Sequence, residues 1–313
     1  MSAISEDNKV LIIAGPTASG KSAVALMLAK KLNGAIINAD SMQIYADLPI
    51  VTACPSAADY AAAPHHLYQH IDGSVRCSVA LWLKLAAQAV AEVRAAGQVP
   101  ILVGGTGMYL NAAIHGISPI PEVSDEVHQK AQSDLDTYGG PAVKEMLQSL
   151  DPVLADRLEA GDSQRLVRAL GVARQTGTPL SSWQKLPGEG QIEGKIVTMA
   201  ILPDRADVYA AIDRRFAQMM EEGGIAEVEQ LLARQLDPSL PVMKALGVSA
   251  VAGYLRGEYD VEQAIYLAQR DSRHYAKRQM TWIRNNFIAN ISFDEKLSER
   301  NREKYFSKIL KYT

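Results

Sequence analysis

The chain has 313 residues, 48% hydrophobic and 21% charged, with a formal net charge of −3. At roughly 150 residues per domain it has room for about two domains, or one large domain with an insertion; disorder and a globally basic nucleic-acid coat are excluded. Two cysteines, Cys54 and Cys77, cannot build a disulfide framework, no apolar run approaches the ~20 residues of a membrane span, and the polar stretch Met1–Asn8 does not read as a leader. A soluble protein of the reducing cytoplasm is expected.

Lys9–Ala14 (KVLIIA) is an apolar, β-branched run closed by Gly15 and Pro16, which predicts a buried strand. A glycine-rich turn follows, and Ser22–Leu32 has the apolar spacing of a helix. Ala35–Asn38 (AIIN) predicts a second strand, Ser78–Ala96 an Ala-rich helix stopped by Gly97, and Pro100–Val103 (PILV) a third strand closed by Gly104 and Gly105. Strands alternating with helices imply a parallel sheet with helices on both faces. From about Ile117 the pattern changes: Pro119 and Pro121 break the chain, Asp125–Thr176 reads as several short helices, and Pro187–Gly194 marks an exit loop. Lys195–Leu202 (KIVTMAIL) predicts a strand that returns to the sheet, and Asp207–Asn286 is almost wholly helical, with breaks near Gly223–Gly224 and Pro238–Pro241. The expected architecture is an α/β, parallel-sheet P-loop core, residues 1–116 and 195–313, with an inserted all-helical domain at 117–194 and a helical C-terminal part.

Gly15-Pro16-Thr17-Ala18-Ser19-Gly20-Lys21-Ser22 matches G-x-x-x-x-G-K-[ST] at every fixed position, after a strand and before a helix. The glycines let backbone N–H groups and the helix N-terminus surround an anion, Lys21 adds a mobile charge, and Ser22 can hold a magnesium ion that bridges phosphate oxygens. The motif specifies a di- or triphosphate and does not say which. Asp40 follows the second strand, at the sheet edge where open α/β sheets bind ligands, and reads either as a general base or as an ordinary turn aspartate. The third strand ends Gly104-Gly105-Thr106-Gly107 with no carboxylate, which weakens a motor-ATPase reading and leaves the Thr106 hydroxyl near the phosphates.

The segments GPTASGKS, NADSMQIY (38–45), PHHL (64–67), LVGGTGMYL (102–110), QRLVRAL (164–170), TGTPLS (176–181) and AKRQMTWIR (276–284) occur in this order. Together they resemble the tRNA dimethylallyltransferases over about residues 9–288. The resemblance implies transfer of a dimethylallyl group from dimethylallyl diphosphate to N6 of adenine 37, beside the tRNA anticodon. It implies Asp40 as the base, Thr106 assisting near the bridging diphosphate oxygen, Gly15 to Ser22 holding diphosphate, and Mg2+ at Ser22. It further implies tRNA contacts at Asp40, Ser41, Met42, Gln43, Thr106, His128, Gln164, Arg165, Leu166, Val167 and Arg168. The partners implied are a tRNA anticodon stem-loop and the diphosphate donor, with the chain acting as a monomer.

Arg270 to Arg284 packs five basic residues against one acid, an interleaving of cations and aromatics that suits phosphates and stacked bases; Arg273, Lys277, Arg278, Gln279, Trp282 and Arg284 are the candidate contacts, although a solvated helix face with Trp282 in the core fits equally. The chain departs from the family pattern at Cys54 (usually lysine), His128 (often arginine), Gly171, Ala211 and Val248, which concerns RNA and channel contacts more than Asp40 and Thr106. A P-loop kinase, an adenylate isopentenyltransferase acting on free nucleotide, and a degenerate RNA-binding relative are the competing readings. The insertion and the 270–284 patch favour tRNA over a free nucleotide. His65, His66 and His70 lack the companion spacing of a metal site, and the 296–311 tail, alternating in charge, reads as a solvated helix.

Overall fold

The computed structural model describes residues 8–312. The stretch 1–7, most of the segment read above as no leader, lies outside the described residues. Six strands form one parallel sheet: β1 (Lys9–Ala14), β2 (Gly34–Asn38), β3 (His65–His66), β4 (Val99–Gly104), β5 (Lys195–Ile201) and β6 (Ile291–Phe293), in the order β3-β2-β4-β1-β5-β6. The central strand β1 is buried from Val10 to Ala14, which is why it carries an unbroken apolar run rather than an alternation. The helices are α1 (Lys21–Leu32), α2 (Ala57–Ala62), α3 (Val79–Ala95), α4 (Gly107–His115), α5 (Asp125–Leu150), α6 (Pro152–Arg157), α7 (Ser163–Thr176), α8 (Leu180–Trp183), α9 (Arg205–Met219), α10 (Ile225–Ala233), α11 (Val248–Leu255), α12 (Val261–Asn286) and α13 (Arg302–Leu310). None of the described helices is long and apolar enough to cross a membrane.

Successive strand side chains point to opposite faces. Leu11 and Ile13 of β1 therefore share one core with Val24 and Leu28 of α1, while α3 packs against β2 and β4. The strands expected at 9–14, 35–38, 100–103 and 195–202 are present with ends shifted by a residue or so. The edge strands β3 and β6 and the helix α4 were not anticipated.

The chain divides into two compact units: one runs to Ile114 and resumes at Ile192, and the other is His115–Gln191. The second unit begins two residues and ends three residues before the insertion expected from sequence. Within it, α5, α6 and α7 pack around Leu147, Leu166 and Leu170, and α5 is interrupted at Gly139, whose φ of 77° no helix accommodates.

One expectation needs correction. The tail is not a solvated helix: a 3₁₀ turn at Glu299–Asn301 leads into α13, and Tyr305 (1% exposed) and Ile309 (fully buried) enter the core of the sheet, with Tyr305 stacked on Phe293 at 3.7 Å. Alternating charge disguised two inward-facing residues one helical turn apart. The break expected near Gly223–Gly224 is present as a kink: Gly223 has a φ of 108° within the π-helical turn Met220–Gly224 that joins α9 to α10.

Candidate active site

The phosphate-type loop leaves β1 at Ala14 and turns through Ala18 and Gly20, both with positive φ. At Gly15 a Cβ would lie 2.5 Å from Ser19 Oγ and 3.0 Å from the Ile201 carbonyl, so only glycine lets the chain pass there. Helix α1 then starts without a side-chain cap, and its first N–H groups are left to an anion. Ser19 Oγ is buried and has no hydrogen-bond partner among the described residues. Lys21 is half-buried, with Nζ 3.3 Å from the Pro16 carbonyl. Burial lowers its pKa to about 8; Asp40 opposes the shift and Arg215 adds to it.

The turn after β2 is held by a buried asparagine. Asn38 Oδ1 accepts from the Asp40 N–H at 2.8 Å, and its Nδ2 donates to the carbonyls of Asp40 and Leu67, each at 3.0 Å. One Asp40 oxygen, Oδ1, accepts from the Met42 N–H at 2.9 Å, and Oδ2 makes no hydrogen bond among the described residues. Asp40 thus serves as a turn residue through one oxygen, and its other oxygen is available to a ligand. Thr106 Oγ1 accepts from the Ser41 N–H at 3.0 Å and donates to Ser41 Oγ at 3.3 Å, which ties the ends of β2 and β4 together. Gly104 permits that approach, since a Cβ there would lie 1.9 Å from the Ala39 carbonyl.

The C-terminal helices close the site. Arg215 of α9 donates to Thr17 Oγ1. Gln279 of α12 accepts from the Thr17 N–H at 2.8 Å and donates to the Gly105 carbonyl at 3.0 Å. Tyr275, one turn earlier, has its pKa pushed up to about 12 by burial and then by the charge of Asp40. A cavity of about 60 Å³ joins these groups: Thr17, Asp40, Arg215 and Tyr275 contribute polar atoms, and Met42, Val51, Phe216 and Met219 an apolar wall. Such a cavity suits a ligand with an anionic head and a short apolar tail. Among the described residues no group of three or more His, Cys, Asp or Glu is arranged to hold a metal ion. A cation at Ser22, exposed on the first turn of α1, would therefore draw most of its oxygens from phosphate and water, which is magnesium's habit.

The structure gathers the residues from Gly15 to Ser22, Asp40 to Gln43 and Thr106 at one end of the sheet. Three expected RNA contacts are corrected. Leu166 and Val167, 0% and 2% exposed, belong to the core of the helical unit because they occupy the inner face of α7. Gln279, 5% exposed, has both ends of its amide engaged in the brace just described, leaving no free edge for RNA. Arg273 is half-buried and paired with Asp213, and Trp282 is half-buried against Gly107. Lys277, Arg278 and Arg284 are exposed, as are Gln164, Arg165, Arg168 and His128. Cys54 and Cys77 are half-buried, and burial pushes the Cys54 thiol up to about 11. His65 packs edge-on between Tyr60 and Tyr68, with Nδ1 2.8 Å from the Ala63 carbonyl. Sequence reasoning missed Arg215 and Tyr275 as site residues. Arg215 belongs to no motif read in the sequence, and Tyr275 was visible only as one aromatic within a basic run.

Residues 43–286 match the family model for IPP transferase, and residues 8–70 that for isopentenyl transferase. The chain is 47% identical over 301 residues to a tRNA dimethylallyltransferase of Rhodospirillum rubrum, covering 96% of this chain and 92% of that protein. It is 42% identical over 305 residues to one of Paramagnetospirillum magneticum, covering 97% of each. Among solved structures, a full-length tRNA isopentenylpyrophosphate transferase of Bacillus halodurans superposes with a TM-score of 0.67 at 34% identity, covering 97% of this chain and 96% of that one. A eukaryotic dimethylallyltransferase acting on tRNA superposes with a TM-score of 0.82 at 26% identity, covering 96% of this chain and 78% of that one.

Proposed function

This chain belongs to the IPP transferase family, that of the tRNA dimethylallyltransferases, and from that membership we propose that it transfers a dimethylallyl group from dimethylallyl diphosphate to N6 of adenine 37 in tRNA. The observation that carries this is one cavity shared by Asp40, the loop residue Thr17, and an apolar wall of Met42, Val51 and Phe216. The wall accepts a five-carbon tail, and the loop a diphosphate.

The N6 lone pair of adenine is delocalised into the ring, so the nucleophile benefits from a positioned base. The N6–C1 bond forms as the allylic C1–O bond breaks; diphosphate leaves with the bonding pair, and the N6 proton passes to Oδ2 of Asp40. The loop amides, Lys21 and Arg215 meet the charge that collects on the leaving group. Thr106, held by Ser41, assists near the bridging oxygen. Magnesium, held by Ser22 and the diphosphate oxygens, would offset part of that charge. The adenine must leave the anticodon-loop stack, at a cost of a few kcal/mol that is smaller in a single-stranded loop.

We assign the anticodon stem-loop to Ser41, Met42, Gln43, His128, Gln164, Arg165 and Arg168 and to the exposed cations Lys277, Arg278 and Arg284. Every residue assigned a role here belongs to one chain, which supports a monomer, and a tRNA substrate supports work in the cytoplasm. The relatives do not favour the kinase alternative, and retention of Lys21, Ser22, Asp40 and Thr106 argues against a degenerate binder.

The test is to incubate the protein with magnesium, dimethylallyl diphosphate and unmodified tRNA carrying A36-A37, then digest and weigh the nucleosides. A five-carbon gain on one adenosine is expected. Asp40→Asn keeps an oxygen for the Met42 N–H, so tRNA binding should persist while turnover falls by about 10²–10⁴. Equal loss of binding and turnover would make Asp40 structural.

A further inference from the structure

The helical unit carries a cavity of its own, of about 380 Å³, within the size range of pockets that hold small ligands. Its floor is Leu154 of α6, Leu158 just after it and Leu180 of α8, none more than 6% exposed. Its rim carries three guanidinium groups, Arg157 from the end of α6 and Arg165 and Arg168 from α7. None of the three makes an ion pair or a hydrogen bond among the described residues, whereas Arg174 on the same α7 pairs with Asp134 at 2.6 Å. Partial burial lowers the pKa of Arg168, opposed by the charge of Glu122. Like charges gathered over an apolar floor repel one another, and an anion removes that repulsion. The amides of Gln164 and Gln184 complete the rim with paired donors and acceptors.

We propose that this cavity seats one unstacked nucleotide of the tRNA: its base lies on the leucine floor, its phosphate is held by the arginines, and its edge is met by Gln164 and Gln184. The proposal rests on tRNA being the substrate. A free phosphate would leave the floor unused, and an apolar ligand would leave the three charges unmet. A nucleotide uses both, and guanidinium planes with exposed base faces are the ordinary means of holding single-stranded RNA. Arg157 and Gln184 lie outside the QRLVR segment and are the residues this assignment adds.

The test measures binding of tRNA anticodon stem-loops to the full chain by anisotropy at several salt concentrations. Arg157→Ala should weaken binding three- to tenfold and lower the salt slope by about one. Gln184 is exposed, so Gln184→Trp should plug the cavity without disturbing the fold. In a series of loops each lacking one base, a single position should weaken the wild-type complex yet make no difference to Gln184→Trp. The melting temperature and the affinity for dimethylallyl diphosphate should stay at wild-type values in both variants. If every abasic loop loses the same factor on wild type and on Gln184→Trp, the seat is overturned alone. Unchanged tRNA affinity in both variants also overturns it and leaves the cavity to a protein partner. Wild-type protein that binds no tRNA overturns the seat together with the substrate assignment.

Discussion

Burial brings the Lys21 pKa down to about 8, and that makes the lysine a reporter of ligand binding. Its pKa of about 8 in the free protein must rise when a diphosphate lies against it, because an adjacent anion favours the charged form. Below pH 8 the lysine is already protonated and binding gains its full charge. Above pH 8 binding must first take up a proton, so affinity for dimethylallyl diphosphate should fall by up to about tenfold per pH unit until the bound-state pKa is reached. Calorimetric titration of the donor between pH 7 and 10, where the diphosphate is fully ionised, reads this directly. Lys21→Arg should flatten the profile, since a guanidinium stays charged throughout; an identical slope in both proteins would assign the effect to another group. Lys21 and Asp40 were legible in the sequence because motif spacing and a strand end mark them. Gln279 was misplaced for a physical reason: a polar side chain in a basic run reads as surface, and only the arrival of Thr17 and Gly105 turns it inward.

The element that positions the apolar wall is α10. Glu227, 8% exposed, accepts from the N–H groups of Ile50 and Val51, both at 2.7 Å, and Arg234 at the other end of the helix pairs with Asp47. The segment they hold supplies Val51 and Thr52 to the cavity, and its Thr52 and Ala53 carbonyls accept from Gln43 at 2.9 and 2.6 Å. Burial raises the Glu227 pKa, while its two backbone donors hold it down. Glu227→Gln turns one acceptor into a donor facing another donor, at a cost of about 1–3 kcal/mol. The expected result is a roughly tenfold rise in KM for dimethylallyl diphosphate with kcat changed far less, read by steady-state kinetics. A lower melting temperature with unchanged KM would limit Glu227 to stability. The break before α10 was legible from the glycine pair Gly223–Gly224, but its π-helical form was not, because Gly223, at a φ of 108°, lies beside Ile50 from a distant segment. The edge strands β3 and β6 escaped for a simpler reason: two or three residues carry no periodicity to read.

At the scale of the whole molecule, the parallel sheet was legible because strands buried on both faces must be continuous apolar runs, and the insertion because its prolines and helical spacing interrupt them. The tail was not, since its two buried side chains are a minority within a charged helix. Parallel order also means that every strand pair is closed by a long connection, and the Gln279 brace reaches across comparable distances, spanning 262 residues to Thr17 and 174 to Gly105. That separation has a temporal meaning. At a synthesis rate of ~5–20 residues per second, roughly 13 to 50 seconds pass between the ribosome's addition of Thr17 and of Gln279. Throughout that interval the glycine-rich loop exists as sequence but lacks the amide that fixes it, so donor binding should wait for the synthesis of Gln279. Stalled chains ending before Gln279 should capture no radiolabelled dimethylallyl diphosphate on filters, and full-length Gln279→Ala should capture less than wild type. The fixing of this loop is thus a matter of when the chain is made as well as of how it folds.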